Sequence, residues 1–113
     1  MEIFKQRIVF AAVLALAPAS ALADEDAKLE LGKEVFVERA APACGICHTL
    51  SDAGSEGDIG PNLDRLQPDG ERVETAVRQG IDIMPSFADL LSEEEIAAVA
   101  HYVSSVAGED GSD

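Results

Sequence analysis

The stretch "APACGICHTL", residues 41–50, constrains this chain most, because it contains both of the cysteines. Cys44 and Cys47 are separated by two residues, and His48 follows them directly. This spacing is compatible with a redox disulfide, with part of a zinc site, or with the covalent attachment of a haem. The rest of the sequence has to discriminate among these three kinds of site.

The N-terminus has the order of parts of a secretory signal peptide. Two basic residues precede an apolar run at residues 8–17, and the small residues at 21–23 form a cleavage site before an acidic segment. An uncleaved membrane anchor is the alternative, but the apolar stretch is shorter than the roughly 20 residues that span a bilayer. The sequence therefore predicts a cleaved leader at 1–23, a single domain at 24–113, and export to the periplasm.

The charge of the chain restricts the class of partner. The formal net charge is −14, and removal of a leader that carries +1 makes the mature charge −15. Nucleic acid is disfavoured as a partner, because its phosphates would be repelled. A redox protein with a basic docking patch is favoured, and its association should depend on ionic strength.

Three amphipathic segments predict helices. Residues 26–40 carry apolar side chains at intervals of three and four, and residues 70–79 have one apolar side. Ser92 and Glu95 form a capping box before an apolar stripe that ends near Gly108. No segment shows the alternation of a strand, so the sequence predicts an all-α domain.

Two of the three interpretations of the cysteine motif do not fit the rest of the sequence. A disulfide oxidoreductase would need a βαβ context, whereas residues 49–69 are expected to be irregular. A structural zinc ion takes four ligands, and the adjacent Cys47 and His48 would have difficulty sharing one tetrahedral ion. The remaining histidine, His101, is expected to be an exposed residue on the last helix.

The haem interpretation accounts for the spacing. C-x-x-C-H is the attachment signature of a c-type haem, in which two thiols add to the two vinyl groups of one porphyrin and His48 lies under the iron. Met84, in the inter-helix segment "IDIMPSF", is the only methionine outside the leader. A thioether is a soft ligand suited to haem iron opposite histidine, although filling the core is the commoner role of methionine. We therefore predict His48 and Met84 as the metal ligands.

These motifs resemble those of the class I c-type cytochromes over residues 28–107. The resemblance implies a cytochrome c fold, in which three main helices plus loops wrap around one covalently bound haem c. The matching pieces are Gly32 and Phe36, the C-x-x-C-H motif, Gly60-Pro61-Asn62-Leu63, Met84-Pro85-Ser86-Phe87, and the last helix.

The resemblance also implies roles for individual residues. The carbonyl of Pro61 would accept a hydrogen bond from His48, and Leu63 and Phe87 would pack on the porphyrin. Arg65 and Arg72 are candidates to meet the haem propionates. In the helix crossing that the family shares, Gly32 and Phe36 would meet Val99, Tyr102 and Val103. The acidic loop 50–59 matches no part of the family pattern.

The predicted binding of the haem iron by His48 on one side and Met84 on the other predicts the function. With His48 and Met84 bound, the iron has no open position for a small-molecule substrate, so the chain is expected to be an electron carrier and not an enzyme. The alternative is a dedicated cytochrome subunit or electron acceptor of a periplasmic oxidoreductase, since the small cytochromes of sulfite dehydrogenases look similar in layout. A thiol–disulfide protein or a ligand sensor also remains open.

Overall fold

The computed structural model describes residues 19–109 and is mainly helical. The first helix continues into a π-helical turn, and a short antiparallel pair of strands, joined by a 3₁₀ turn at Ser51–Ala53, follows the single helical turn of the cysteine motif. The elements in chain order are α1 (Ala19–Glu34), the π-turn (Val35–Arg39), α2 (Cys44–Cys47), β1 (Thr49–Leu50), β2 (Ser55–Glu56), α3 (Leu63–Leu66), α4 (Gly70–Gln79) and α5 (Glu93–Val106).

Helix α1 is longer than predicted. It begins at Ala19 instead of residue 26, so it runs through the predicted cleavage site at 21–23. The predicted leader otherwise lies outside the described residues, and its removal stays a prediction. Between residues 19 and 109, no helix is long and apolar enough to cross a bilayer.

Helices α1 and α5 cross at close range, as the resemblance implied. A Cβ on Gly32 would collide with the carbonyl group of Ala98 and would lie 2.5 Å from the Cβ of Tyr102. The rings of Phe36 and Tyr102 meet edge to face, with centroids 6.1 Å apart. Glycine at position 32 therefore allows the crossing, and Ala98 is the contact that the sequence did not indicate.

Helices α4 and α5 begin at caps supplied by their own sequence. The Asp69 carboxylate accepts a hydrogen bond of 2.8 Å from the backbone N–H of Arg72. In α5 the predicted capping box is confirmed, because the Ser92 hydroxyl and the Glu95 carboxylate each accept the other residue's backbone N–H. Caps of this kind are worth about 1 kcal/mol each, so both helix starts are fixed locally.

The expectation that residues 49–69 are irregular is wrong in part. The register pairs Thr49 with Glu56 and Leu50 with Ser55, and α3 follows. Each strand has only two residues, which is too short for alternation to be visible in the sequence. The segment is thus a small hairpin followed by one helical turn.

Hydrogen bonds of two carboxylates, Asp52 and Asp64, connect this segment to α5 and to the residues that follow it. Asp64 is 3% exposed and accepts hydrogen bonds from the N–H and hydroxyl of Ser51, both 2.8 Å, and from the N–H of Gly108, 2.9 Å. Burial alone would raise the pKa of Asp64, but these three bonds outweigh it and lower the pKa below its ordinary value. Asp52 accepts a 2.5 Å hydrogen bond from the hydroxyl of the buried Tyr102 and lies 3.5 Å from Lys33 Nζ.

The expectation for His101 is also wrong. Its ring is half-buried, and its Nε2 atom lies 3.0 Å from a carboxylate oxygen of Glu25 on α1. The sequence could not show this contact, because the two residues are far apart in the chain and meet only through the crossing of α1 and α5.

Candidate functional site

All of the predicted site residues line one cavity of about 720 Å³. Its innermost wall is apolar and includes Phe36 of the π-turn together with Val99 and Val103 of α5. The predicted residues that the structure brings together here are Cys44, Cys47, His48, Pro61, Leu63, Met84 and Phe87.

Helix α2 places the two cysteines on the cavity. It is a single turn, and residues three apart in a helix lie on the same side, so Cys44 and Cys47 both face this space. The two cysteines do not form a disulfide with each other. Burial raises the pKa of the Cys44 thiol to about 11, so this thiol is protonated at neutral pH.

His48 follows α2 and is oriented by a backbone carbonyl. Its Nδ1 atom lies 2.7 Å from the carbonyl oxygen of Pro61. A carbonyl oxygen can only accept, so Nδ1 carries the proton and donates it. The lone pair of the neutral ring is then on Nε2, which is the atom left to bind a metal.

The segment before Pro61 is held closely against the histidine. The N–H of Gly60 donates to the carbonyl of Cys47 at 2.7 Å. A Cβ on Gly60 would lie 2.6 Å from Cε1 of His48, so glycine is needed for this approach. We call α2, His48 and residues 59–61 the histidine wall.

The acidic loop 50–59, which the sequence left without a role, supports the histidine wall. The Ser55 hydroxyl donates to the carbonyl of His48 at 2.9 Å, and the Thr49 hydroxyl donates to the carbonyl of Gly57, also at 2.9 Å. These bonds fold the hairpin back onto the C-x-x-C-H segment. Sequence reasoning missed Thr49 and Ser55 because no periodic pattern marks them.

Met84 lies on the opposite segment, residues 80–87, which we call the methionine wall. Ile81 and Met84 exchange two backbone hydrogen bonds of 3.0 and 2.8 Å, which close a tight turn. Gly80, with φ of 74°, ends α4, and a Cβ on it would lie 2.8 Å from the Met84 carbonyl oxygen. The turn is therefore folded directly onto the end of α4.

The far end of the methionine wall is fastened to the same helix. The N–H of Phe87 donates to the carbonyl of Val77 at 2.8 Å, and the Ser86 hydroxyl donates to the carbonyl of Arg78 at 2.7 Å. Phe87 is buried, whereas Met84 is half-buried at the cavity. The last turn of α4 thus sets the position of Met84, and Ser86 is a supporting residue that the sequence did not single out.

The two arginines that are candidates to meet the haem propionates line different hollows. Arg72 lines the cavity. Arg65 instead borders a different, polar hollow of about 370 Å³, next to Thr49 and Asn62. Only Arg72 is therefore in a position to approach a group held in the cavity.

The donor set of the cavity fits a haem better than a structural zinc ion. Among residues 19–109, no group of three or more His, Cys, Asp or Glu side chains gathers to hold a metal ion. The cavity instead offers one imidazole with a free Nε2, one thioether, two thiols and an apolar interior. Those are the groups that a covalently attached, axially ligated haem requires.

The family model described as "Cytochrome C oxidase, cbb3-type, subunit III" matches residues 27–103. This range covers more than half of the chain and includes every residue that lines the cavity. The chain belongs to this family of c-type cytochromes. It is therefore an electron-transfer cytochrome that carries haem c, covalently bound through Cys44 and Cys47.

A solved structure supports the assignment. The cytochrome is similar to the c-type cytochrome SorU from Sinorhizobium meliloti, with 58% sequence identity and a TM-score of 0.72. The match covers 74% of this chain and 94% of SorU. No curated protein gives a match.

Proposed function

We propose that this cytochrome is an exported one-electron carrier in which His48 and Met84 bind the haem iron from its two sides. The observation that carries the proposal is the single cavity that has both side chains on its walls, with the Nδ1 of His48 committed to Pro61 at 2.7 Å. When bound, the haem supplies a couple between ferric and ferrous iron that takes up and releases one electron.

The residues around the cavity tune this couple. The Pro61 carbonyl fixes the His48 tautomer and raises the basicity of its Nε2. The thioether of Met84 favours the reduced state, and thus raises the reduction potential relative to harder ligands. Leu63 and Phe87 are buried on the same cavity and add to its apolar lining.

With His48 and Met84 bound to it, the haem iron would have no open position. Because a substrate would have to displace His48 or Met84, we propose that the cytochrome has no small-molecule substrate and is not an enzyme by itself. Its partner is a redox protein with a basic docking patch, since the chain has a formal net charge of −14.

The cellular location follows from the N-terminal sequence. A leader at 1–23 followed by haem attachment points to the periplasm as the compartment. The alternative is a dedicated subunit or acceptor of a periplasmic oxidoreductase, and the description of the matching family as an oxidase subunit favours it. Stable co-purification with one enzyme would identify the subunit, whereas a free shuttle would purify alone.

The ligand assignment is tested with Met84→Ala. We expect this variant to have a lower reduction potential and, when reduced, to bind carbon monoxide rapidly, because one position on the iron becomes open. Leu66→Ala, which also alters the cavity lining, is the matched control and should keep both properties. A Met84→Ala protein with the original potential and no carbon monoxide binding would show that another residue is the ligand.

A further inference from the structure

The segment between α4 and α5 carries Met84, and an ion pair connects the two ends of this segment. Arg78, in the last turn of α4, donates from Nη1 to both carboxylate oxygens of Glu93, at 2.7 and 2.6 Å. Glu93 is the first residue of α5. The pair therefore closes a loop that spans 15 residues of chain, with Met84 between its ends.

A second carboxylate fixes the direction of the Arg78 side chain. Its Nη2 atom donates to Glu74 at 2.6 Å, one helical turn earlier on α4. An isolated pair of exposed charges contributes little to stability, whereas several charges in one network with good geometry contribute more. Both terminal nitrogens of this guanidinium are bound to carboxylates, so the side chain is held between the two helices. We call Arg78, Glu74 and Glu93 the arginine clamp.

The backbone of Arg78 is bound to the methionine wall. Its carbonyl accepts the 2.7 Å hydrogen bond from the hydroxyl of Ser86, two residues after Met84. A Cβ on Gly80 would lie 2.8 Å from both the Met84 carbonyl oxygen and the Ser86 nitrogen, so the end of α4 also packs on this backbone. Arg78 thus binds α5 through its side chain and the methionine wall through its carbonyl.

The methionine wall has few buried contacts of its own. Phe87 is the buried residue within 80–87, and Met84 is half-buried. The exposed residues are Ile81, Asp82, Ile83, Pro85 and Ser86. A segment with few buried contacts opens at a low cost in free energy, unless its ends are restrained. The arginine clamp is such a restraint, because it holds the end of α4 against the start of α5.

We propose that the arginine clamp positions Met84 toward the haem iron, so that breaking the link between Arg78 and Glu93 makes the thioether easier to displace. The inference rests on the proposed function, because it takes Met84 as a ligand of the iron. Neither Arg78 nor Glu93 lines the cavity. Arg78 is therefore a positioning residue, and it acts through the last turn of α4 and through Ser86.

Displacement of Met84 by free imidazole tests the proposal. The ferric holo-protein is titrated with imidazole, and binding is followed by the loss of the far-red absorption band that a bond between ferric iron and sulfur produces. Glu93→Gln breaks the link to α5 and leaves Arg78 in place. Glu94→Gln is its matched control, because it makes the same change of charge in the same turn, at an exposed residue that pairs with no described residue.

Arg78→Gln breaks the same link from its other side, and Arg39→Gln is its matched control. Arg39 also bridges two carboxylates, those of Glu34 and Glu95, and Glu95 belongs to the first turn of α5. Arg39 lies on the π-turn, and its carbonyl does not hold the methionine wall. A general loss of stability would therefore appear in both arginine variants, whereas a displaced methionine would appear in Arg78→Gln alone.

We expect imidazole to bind about fivefold more tightly to Arg78→Gln and to Glu93→Gln than to the original protein, while both control variants keep the original affinity. Because the two residues form one link, the double variant should show no further gain. The original affinity in either clamp variant, an equal gain in a control, or additive gains in the double variant would overturn the proposal. An unaltered ferric protein without the far-red band would instead show that Met84 is not the ligand, which is a failure of the proposed function itself.

Discussion

The Nδ1 atom of His48 donates a hydrogen bond of 2.7 Å to the carbonyl oxygen of Pro61, thirteen residues further along the chain. This bond joins the C-x-x-C-H segment to the G-P-N-L segment and fixes which nitrogen of the ring is free. Because the acceptor is a backbone carbonyl, no substitution at position 61 removes it directly. The arrangement can be tested only through the residues that hold the two segments together.

Gly60→Ala tests this arrangement. The added Cβ would lie 2.6 Å from Cε1 of His48, so the His48 ring or the Gly60 backbone has to shift, and we expect this shift to disturb the bond to Pro61. We expect a shifted reduction potential and a loss of about 1–3 kcal/mol in the free energy of unfolding, as for other overpacked sites. Voltammetry and denaturant unfolding of the holo-protein measure both quantities.

Gly70→Ala is the control for this prediction. Its new Cβ would find its nearest neighbour at 3.6 Å, an ordinary contact, at the first residue of α4. Potential and stability should stay unchanged. If Gly60→Ala behaves like Gly70→Ala, the close packing against His48 has no functional effect.

Asp64→Asn tests the buried carboxylate. An amide has one acceptor oxygen instead of two, so it cannot satisfy Ser51 and Gly108 together, and we expect a loss of about 1–3 kcal/mol at neutral pH. The pKa of Asp64 is lowered by folding, so its contribution is complete above the unfolded pKa of about 4 and is lost as the pH falls through the folded pKa.

The free energy of unfolding, measured from pH 7 to pH 2, checks this prediction. The difference between the original protein and Asp64→Asn should shrink below about pH 4. Asp58→Asn, at an exposed position in the acidic loop 50–59, is the control and should differ little at any pH. A constant difference across the whole range would contradict the role of the carboxylate charge.

Tyr102→Phe tests the link between α5 and the acidic loop. The substitution keeps the ring contact with Phe36 and removes only the hydroxyl that donates to Asp52. A hydrogen bond to a charged group is worth about 1.5–3 kcal/mol, and we expect a loss of that order in denaturant unfolding. In a double-mutant cycle with Asp52→Asn the two losses should not add, and additive losses would show that the pair does not interact.

The parts of the fold that depend on local sequence could be predicted. Helix α4 has the predicted bounds of 70–79, because its polar cap and its glycine stop are adjacent to it in the chain. The capping box of α5 is equally local. The seven predicted site residues come from the short motifs C-x-x-C-H, G-P-N-L and M-P-S-F, which is why their positions on one cavity could be expected; their roles toward the haem stay predictions.

The parts that depend on distant contacts could not be predicted. Asp64 meets Gly108, and Tyr102 meets Asp52, across 44 and 50 residues of chain respectively, and no periodicity marks such pairs. The pairing of His101 with Glu25 arises from the crossing of α1 and α5. Strands of two residues leave no alternation to detect, so the hairpin that supports His48 was missed.

Electron transfer by this cytochrome depends on one haem bonded covalently to Cys44 and Cys47. The most direct measurement is the intact mass of the denatured protein, produced in a host that attaches c-type haem, beside the double variant Cys44→Ala, Cys47→Ala. We expect a red protein that keeps the mass of one haem after denaturation, and a double variant that keeps none. A colourless original protein, or a double variant that retains the haem after denaturation, would contradict it.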